Sequence, residues 1–337
     1  MSGKTGDFRM AEYRNRNRIL YPLGVTQEEN GVHILVQGRA GEVRLLLYRP
    51  GEKKPCEEIS FDPKYRMGDV WELALDRTDF ASFEYNFMID GKIVTDPNAR
   101  VITGREKWAD RKRAGKPVRG RILSEEFDWE DDERQGISYE DVIVYRLHVR
   151  GFTRHASSGV ENRGTFAGIV EKIPYLKELG VTTVELMPAT EFNEVMMRPR
   201  QIQHRYQERS KEMKTGLSSS LEMESSETAS SETTSRKTDL NSSTSVMEAD
   251  GRLNYWGYGP SYLYAVKTAY ASRETMSAEG EFKTLVKELH KAGIECIPEM
   301  YFTGKELPGE ILSVLRYWVE EYHVDGFHLT GFPDLSL

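Results

Sequence analysis

Residues Asp141 to Val149 read DVIVYRLHV, a continuous apolar run of strand length, and the elements after it decide the fold. Gly168 to Leu179 has helical spacing in Ile169, Ile173, Leu176 and Leu179, and Val181 to Met187 (VTTVELM) is the next strand. Further along come a helix at about 279–291, a strand from Gly293 to Tyr301 (GIECIPEMY), a helix at about 309–322 and a strand beginning at Gly326 (GFHLTGF). Strands that are apolar at almost every position and alternate with amphipathic helices predict a parallel sheet buried on both faces. Residues 141–337 therefore read as an α/β unit.

Upstream the rhythm is different. Gly31 to Val36 (GVHILV), Val43 to Tyr48 (VRLLLY), Asp69 to Leu75 (DVWELAL) and Phe83 to Ile89 (FEYNFMI) are short β-like runs, the last followed by the turn pair Asp90-Gly91. Evenly spaced strands broken by Gly, Asp and Pro predict a β-sandwich over 20–105. Residues 106–140 are mostly charged and unpatterned and read as a connector. Between the second and third strands of the α/β unit the alternation stops. From Leu217 to Val246, 16 of 30 residues are Ser or Thr and none is aromatic. Ordering such a segment costs roughly 1–2 kcal/mol per residue with almost nothing to bury, so a disordered insertion is expected over about 207–250.

Composition narrows the function. The chain has 337 residues, 38% hydrophobic, and a net charge of −8 with no basic block to neutralise a run of phosphates, which argues against nucleic-acid binding. No stretch approaches the roughly 18 uninterrupted apolar residues of a membrane span, and the N-terminal 20 residues carry charges where a signal peptide needs an apolar run. A cytoplasmic protein is expected. Cys56 and Cys296 make neither a disulfide framework nor a metal-ligand pair, and no metal or cofactor is expected.

Three stretches, VIVYRLHVRGFT (142–153), ELGVTTVELMPATEF (178–192) and NYWGYGP (254–260), resemble the first barrel strand, the second barrel strand and the loop before the third strand of glycogen-debranching enzymes. These are the isoamylase and pullulanase-like members of glycoside hydrolase family 13. FEYNFMIDGKIVTDPNAR (83–100) is similar to the end of the family 48 carbohydrate-binding module that precedes that barrel. The resemblance implies a β-sandwich followed by a TIM-type (β/α)8 barrel. Without the insertion, 141–337 has room for about the first four strand–helix units, since a whole barrel takes about 250 residues. Either the chain is a piece of a longer polypeptide, or the open half-barrel associates with a partner that covers it.

Retaining glycoside hydrolysis needs two carboxyl groups about 5–5.5 Å apart, at the C-terminal ends of barrel strands. The family's third strand ends in a DVVYNH-type motif, matched here by Glu299-Met300-Tyr301-Phe302-Thr303-Gly304. Glu299 keeps only the charge, while Thr303 and Gly304 replace the amide and the imidazole. The family's fourth strand reads Gly-Phe-Arg, one residue, then the nucleophilic Asp; here it is Gly326-Phe327-His328-Leu329-Thr330. His328 stands for the arginine and Thr330 for the nucleophile, and a threonine hydroxyl supplies no anion at neutral pH. Asp334, four residues on, would substitute only in a shifted register, where 1 Å of misplacement already costs heavily in rate; the plainer reading is a solvated loop residue after Pro333.

The sugar-facing aromatic character is retained. The resemblance implies that Tyr258 stacks on a glucose ring, with Tyr255 and Trp256 completing the motif; for those two, packing of the loop is an equal alternative. His148 reads as a hydrogen-bonded core histidine. The expectation is an inactive α-glucan-binding protein with glycogen or a starch oligosaccharide as ligand. The alternatives are an active α-1,6-glucan hydrolase in a longer form, or a non-functional remnant.

Overall fold

The computed structural model describes residues 22–113, 115–122, 126–199, 247–272 and 277–331. Most of the expected insertion lies outside the described residues.

The N-terminal unit is built of antiparallel strands. β1 (Gly24–Glu28), β2 (Gly31–Gln37) and β5 (Val70–Leu75) form one sheet in the order β1-β2-β5. A second sheet runs β4 (Glu57–Ser60), β3 (Val43–Tyr48), β6 (Glu84–Ile89), β9 (Arg119–Arg121), β8 (Val101–Thr103), with β7 (Lys92–Val94) on β6. Alternation explains the pairing: in β5 Trp71, Leu73 and Leu75 turn inward, against Ile34 and Val36 of β2 and Leu45 and Leu47 of β3. At the β6–β7 turn Asp90 and Gly91 both take positive φ (45° and 75°), the geometry of a two-residue hairpin. Asp90 Oδ1 also accepts from Gly41 N and Glu42 N, fixing that turn to the start of β3.

The expected end of this unit at 105 is too early. β9 lies inside the predicted connector and pairs with both β6 and β8. Its short RGR sequence carries no apolar alternation, so it has no strand signature. Gly120 is required there, because a Cβ would sit 2.7 Å from the Tyr85 ring. Trp108, also from the connector, stacks on Tyr270 at 5.6 Å inside the second unit.

That second unit centres on four parallel strands in the order β10 (Val144–Leu147), β11 (Thr183–Leu186), β16 (Glu295–Tyr301), β17 (His328–Thr330). Helices α1 (Val149–Thr153), α2 (Phe166–Val170) and α3 (Ile173–Glu178) lead from β10 to β11. The single helix expected over 168–179 is broken, since Pro174 cannot continue an upstream helix and instead opens α3. Leu179, at the end of that pattern, is exposed. Between β11 and β16 the chain forms β12 (Thr190–Phe192) paired with β15 (Ser261–Val266), and β13 (Val195–Pro199) paired with β14 (Met247–Leu253). Residues 247–250 of the expected disordered tract are thus strand.

α4 (Ala278–Lys291) is capped by Ser277, whose Oγ accepts from Gly280 N, and lays Phe282, Leu285, Val286 and Leu289 on the sheet. α5 (Pro308–Tyr322) starts with proline at its first position and contributes Val314, Trp318 and Tyr322 to the same core. These helices cover one face of the sheet. The opposite face carries charge and is only partly covered, contrary to the expectation of a sheet buried on both sides. Among the described residues no helix is long and apolar enough to cross a membrane.

The two units are joined by buried chemistry. Lys267 is fully buried, donating to Glu191 at 2.7 Å, Glu194 at 2.8 Å and the Phe192 carbonyl at 3.0 Å. Ala109 N donates to Glu194 and Thr268 Oγ1 to the Ile102 carbonyl. Every charge in this junction is paired, as a buried ion cluster requires.

Candidate functional site

Period-two alternation puts Arg146 of β10, Glu185 of β11, Glu299 of β16, and His328 and Thr330 of β17 on the uncovered face of the parallel sheet. The register sets Arg146 beside Glu185 and Glu299 beside His328. Five polar side chains from four strands therefore meet at one place.

Arg146 is the hub. Its Nε is ion-paired with Glu185 Oε1 at 2.9 Å, and its Nη2 donates to Glu299 Oε2 at 2.5 Å and to the Tyr258 hydroxyl at 2.9 Å. Tyr258 in turn donates to Glu299 Oε2 at 3.2 Å, and Thr330 Oγ1 donates to Glu299 Oε1 at 3.2 Å. His328 Nδ1 lies 2.7 Å from Glu185 Oε1. The Glu299 side chain is 1% exposed and that of Arg146 44%, so the guanidinium covers the carboxylate and is itself open to solvent. The hydrogen bond to Glu299 is the main cause that holds the Arg146 pKa above its ordinary value, against the opposing effect of burial. Burial, then the Glu299 charge, raises the Tyr258 pKa, which keeps the phenol protonated and able to donate.

Tyr258 is delivered by a tight loop. Asn254 Oδ1 accepts from Gly257 N at 3.1 Å, and Asn254 Nδ2 donates to the Tyr258 carbonyl at 3.2 Å. Gly257 has φ +87°, and a Cβ there would lie 2.7 Å from the Phe192 ring, so only glycine fits. The Tyr258 ring is 38% exposed and meets Tyr301 edge-on at 5.6 Å. Trp256, 52% exposed, stands beside it on the loop. Tyr255 is held in the packing, stacked on His148 at 4.5 Å and edge-on to Trp108.

His148 is buried at the N-cap of α1 rather than within a strand. Its Nδ1 accepts from Gly151 N at 2.9 Å, so the neutral ring carries its proton on Nε2, 2.8 Å from the Tyr255 carbonyl. Burial first, and Arg150 to a lesser degree, lowers its pKa. The ring locks the Tyr255 loop in place.

Of the residues singled out from sequence, Glu299, His328, Thr330 and Tyr258 come together. Thr303 does not join them; its N–H and hydroxyl both donate to Glu306. Gly304 sits in the same turn with φ +78°. Asp334 lies outside the described residues. Sequence reasoning missed Arg146 and Glu185, although each is a charged residue inside an otherwise apolar strand run.

Glu185, Glu299 and His328 each offer one ligand atom within 4.8 Å of the others, a spacing at which a cation could be held. Arg146 already bonds both carboxylates, however, so a divalent ion would have to displace the guanidinium or share the site with a like charge. The arrangement is chemically a cluster of two carboxylates bridged by one guanidinium, with an aromatic edge. Among the described residues both of its carboxylates are ion-paired with Arg146.

No family model matches the chain. It is 31% identical to isoamylase 1 of the Arabidopsis thaliana chloroplast over 91% of this chain and 42% of that protein. It is 29% identical to the glycogen operon protein GlgX homolog of Haemophilus influenzae over 94% of this chain and 50% of that protein. The chain spans half or less of the length of these curated relatives. Among solved structures, the pullulanase of Paenibacillus barengoltzii superposes with TM-score 0.61 at 17% identity, covering 91% of this chain and 48% of that one. A glycogen-degrading pneumococcal virulence factor, in a product complex, gives TM-score 0.61 at 22% identity, covering 92% and 34%. The fold is thus shared with part of the pullulanases, and in sequence the chain is similar to isoamylases and glycogen-debranching enzymes.

Proposed function

We propose that this chain is a member of the isoamylase and pullulanase-like glycoside hydrolases that binds α-glucan without hydrolysing it. One observation carries the reading: at the end of β17, where the resemblance places the nucleophile, stands Thr330, and its hydroxyl donates to a Glu299 already bonded by Arg146 and Tyr258. Barrier lowering of roughly 8–23 kcal/mol depends on charge placed where an oxocarbenium ion develops. Both nearby carboxylates are committed to Arg146. Binding asks for less, because an exposed tyrosine face suits the C–H face of a glucose ring.

Similarity to proteins named as isoamylases, and to a pullulanase crystallised with maltohexaose and α-cyclodextrin, supports the α-glucan as ligand. The β-sandwich serves as the carbohydrate-binding module in this reading. The test is reducing-end release from pullulan and glycogen by the wild-type chain and by Thr330→Asp. Both stay at background, since an added carboxylate faces Glu299 about one hydrogen bond away and gains no acid partner. Clear turnover by the wild type, lost in Glu299→Ala, would restore the hydrolase reading.

A further inference from the structure

We infer that Arg146 is the positioning residue that sets glucan affinity, by fixing the Tyr258 ring and offering its remaining N–H groups to sugar hydroxyls. The inference rests on the glucan-binding reading and names the residue through which that site works.

A guanidinium has five N–H donors in a rigid plane. Here Nη2 donates to Glu299 and to the Tyr258 oxygen, and Nε is ion-paired with Glu185. Both Nη1–H groups lack a partner among the described residues, in a side chain 44% exposed. The same plane therefore holds the phenol of Tyr258 on one edge and leaves donors free on another.

The direction of the hydrogen bonds matters. Arg146 donates to the Tyr258 oxygen, and the Tyr258 proton goes on to Glu299, so the phenol is held at two points. A tyrosine on a loop would otherwise lose rotamer freedom on meeting a sugar. Held in advance, the ring presents its exposed face without that entropy loss. A sugar hydroxyl oxygen accepts readily from a guanidinium N–H. Two carboxylates fix Arg146 itself, from β11 and β16, so its place is set by the sheet rather than the loop. The ligand class is a neutral, hydroxyl-rich α-glucan, because Glu185 and Glu299 beside Arg146 leave no net positive charge to favour an anion.

The experiment is a double-mutant cycle in equilibrium binding of maltohexaose by the full chain. Tyr258→Phe keeps the ring and removes only the tether, leaving the Arg146 ion pairs intact. Loss of one hydrogen bond of this kind predicts a fall in affinity of about fivefold to tenfold. Arg146→Met should fall at least as far, and Tyr258→Phe added to Arg146→Met should change affinity less than about twofold. Arg146→Lys, which keeps charge but not the planar fork, should recover only part of the loss. Unchanged thermal unfolding of Tyr258→Phe separates tethering from a general structural effect. Independent, multiplicative losses in the cycle, or wild-type affinity in both single variants while Tyr258→Ala abolishes binding, would overturn the role of Arg146 alone. Wild-type affinity in Tyr258→Ala would overturn the glucan site as well.

Discussion

Replacing Asp132 by asparagine should destabilise the chain strongly at pH 6 and much less at pH 9. Asp132, its side chain 2% exposed, accepts from His290 Nδ1 at 2.8 Å through one oxygen and from His323 Nδ1 at 2.7 Å through the other. His290 Nε2 meets Asp325 Oδ2 at 2.9 Å, and that oxygen also accepts from Cys296 N. His323, at the left-handed end of α5, stacks on Trp129 at 3.8 Å. Lys287 and Lys291 of α4 bind Glu130, so the charged groups around His290 are Asp132 and Asp325 against it and this lysine pair beside it. The cluster straps segment 126–135 onto α4, α5 and the approach to β17.

The sign of the pH dependence comes from His290. Burial alone would lower its pKa, but the hydrogen bond and charge of Asp325, and then of Asp132, outweigh burial and raise it. A group with a raised folded-state pKa contributes stability that is fully present below its unfolded value of about 6.5 and is lost as pH rises through the folded pKa. Removing one partner of a buried ion pair costs about 3 kcal/mol at the low end of measured cases. That corresponds to a fall in unfolding midpoint of roughly 6–12 °C for a cooperative unit of about 200 residues. The assay is thermal unfolding of wild type and Asp132→Asn by circular dichroism at both pH values. Comparing the two proteins at each pH removes from the difference the titrating groups that do not touch Asp132, leaving its two partners His290 and His323. Equal destabilisation at pH 6 and pH 9, or a difference below about 1 kcal/mol at both, would refute the ionised strap.

Glu279, buried at the start of α4 with Oε1 unpartnered among the described residues, has its pKa raised by burial to about 7. Its contribution is present below about 4.5 and lost as pH rises through 7, so Glu279→Gln should stabilise the chain at pH 9 by about 3 kcal/mol and leave pH 4.5 nearly unchanged, as denaturant titrations at both would show. Phe282→Ala should cost about 3–5 kcal/mol in the same titrations, because the fully buried ring meets Phe166, Trp318 and Tyr322. Gly120→Ala should cost about 1–3 kcal/mol through its clash with Tyr85, and Tyr85→Leu in the same chain should relieve part of that loss.

What the sequence made legible is what hydrophobic period encodes. α4 and α5 fall within one residue of their expected starts, because Phe282, Leu285 and Leu289, and Val314 and Trp318, repeat at helical spacing. β9 and the strapped segment 126–135 were illegible for the opposite reason. Their structure comes from partners far along the chain: Tyr85 for Gly120, His290 and His323 for Asp132. The site divides in the same way. Thr330, His328 and Tyr258 could be found from motif positions, but Arg146 and Glu185 matter only because parallel register brings them beside Glu299 and His328. A charge inside an apolar strand run was the available signal, and it marks the face of the sheet that helices leave uncovered.

Binding without cleavage is tested most directly by equilibrium dialysis of the full chain against an end-labelled maltooligosaccharide carrying one α-1,6 branch. The expected result is saturable retention of label that is lost in Tyr258→Ala, with the recovered ligand still at its original length after prolonged incubation. Label recovered as debranched products at a rate proportional to protein concentration would contradict it, and so would the absence of any retention by the wild-type chain.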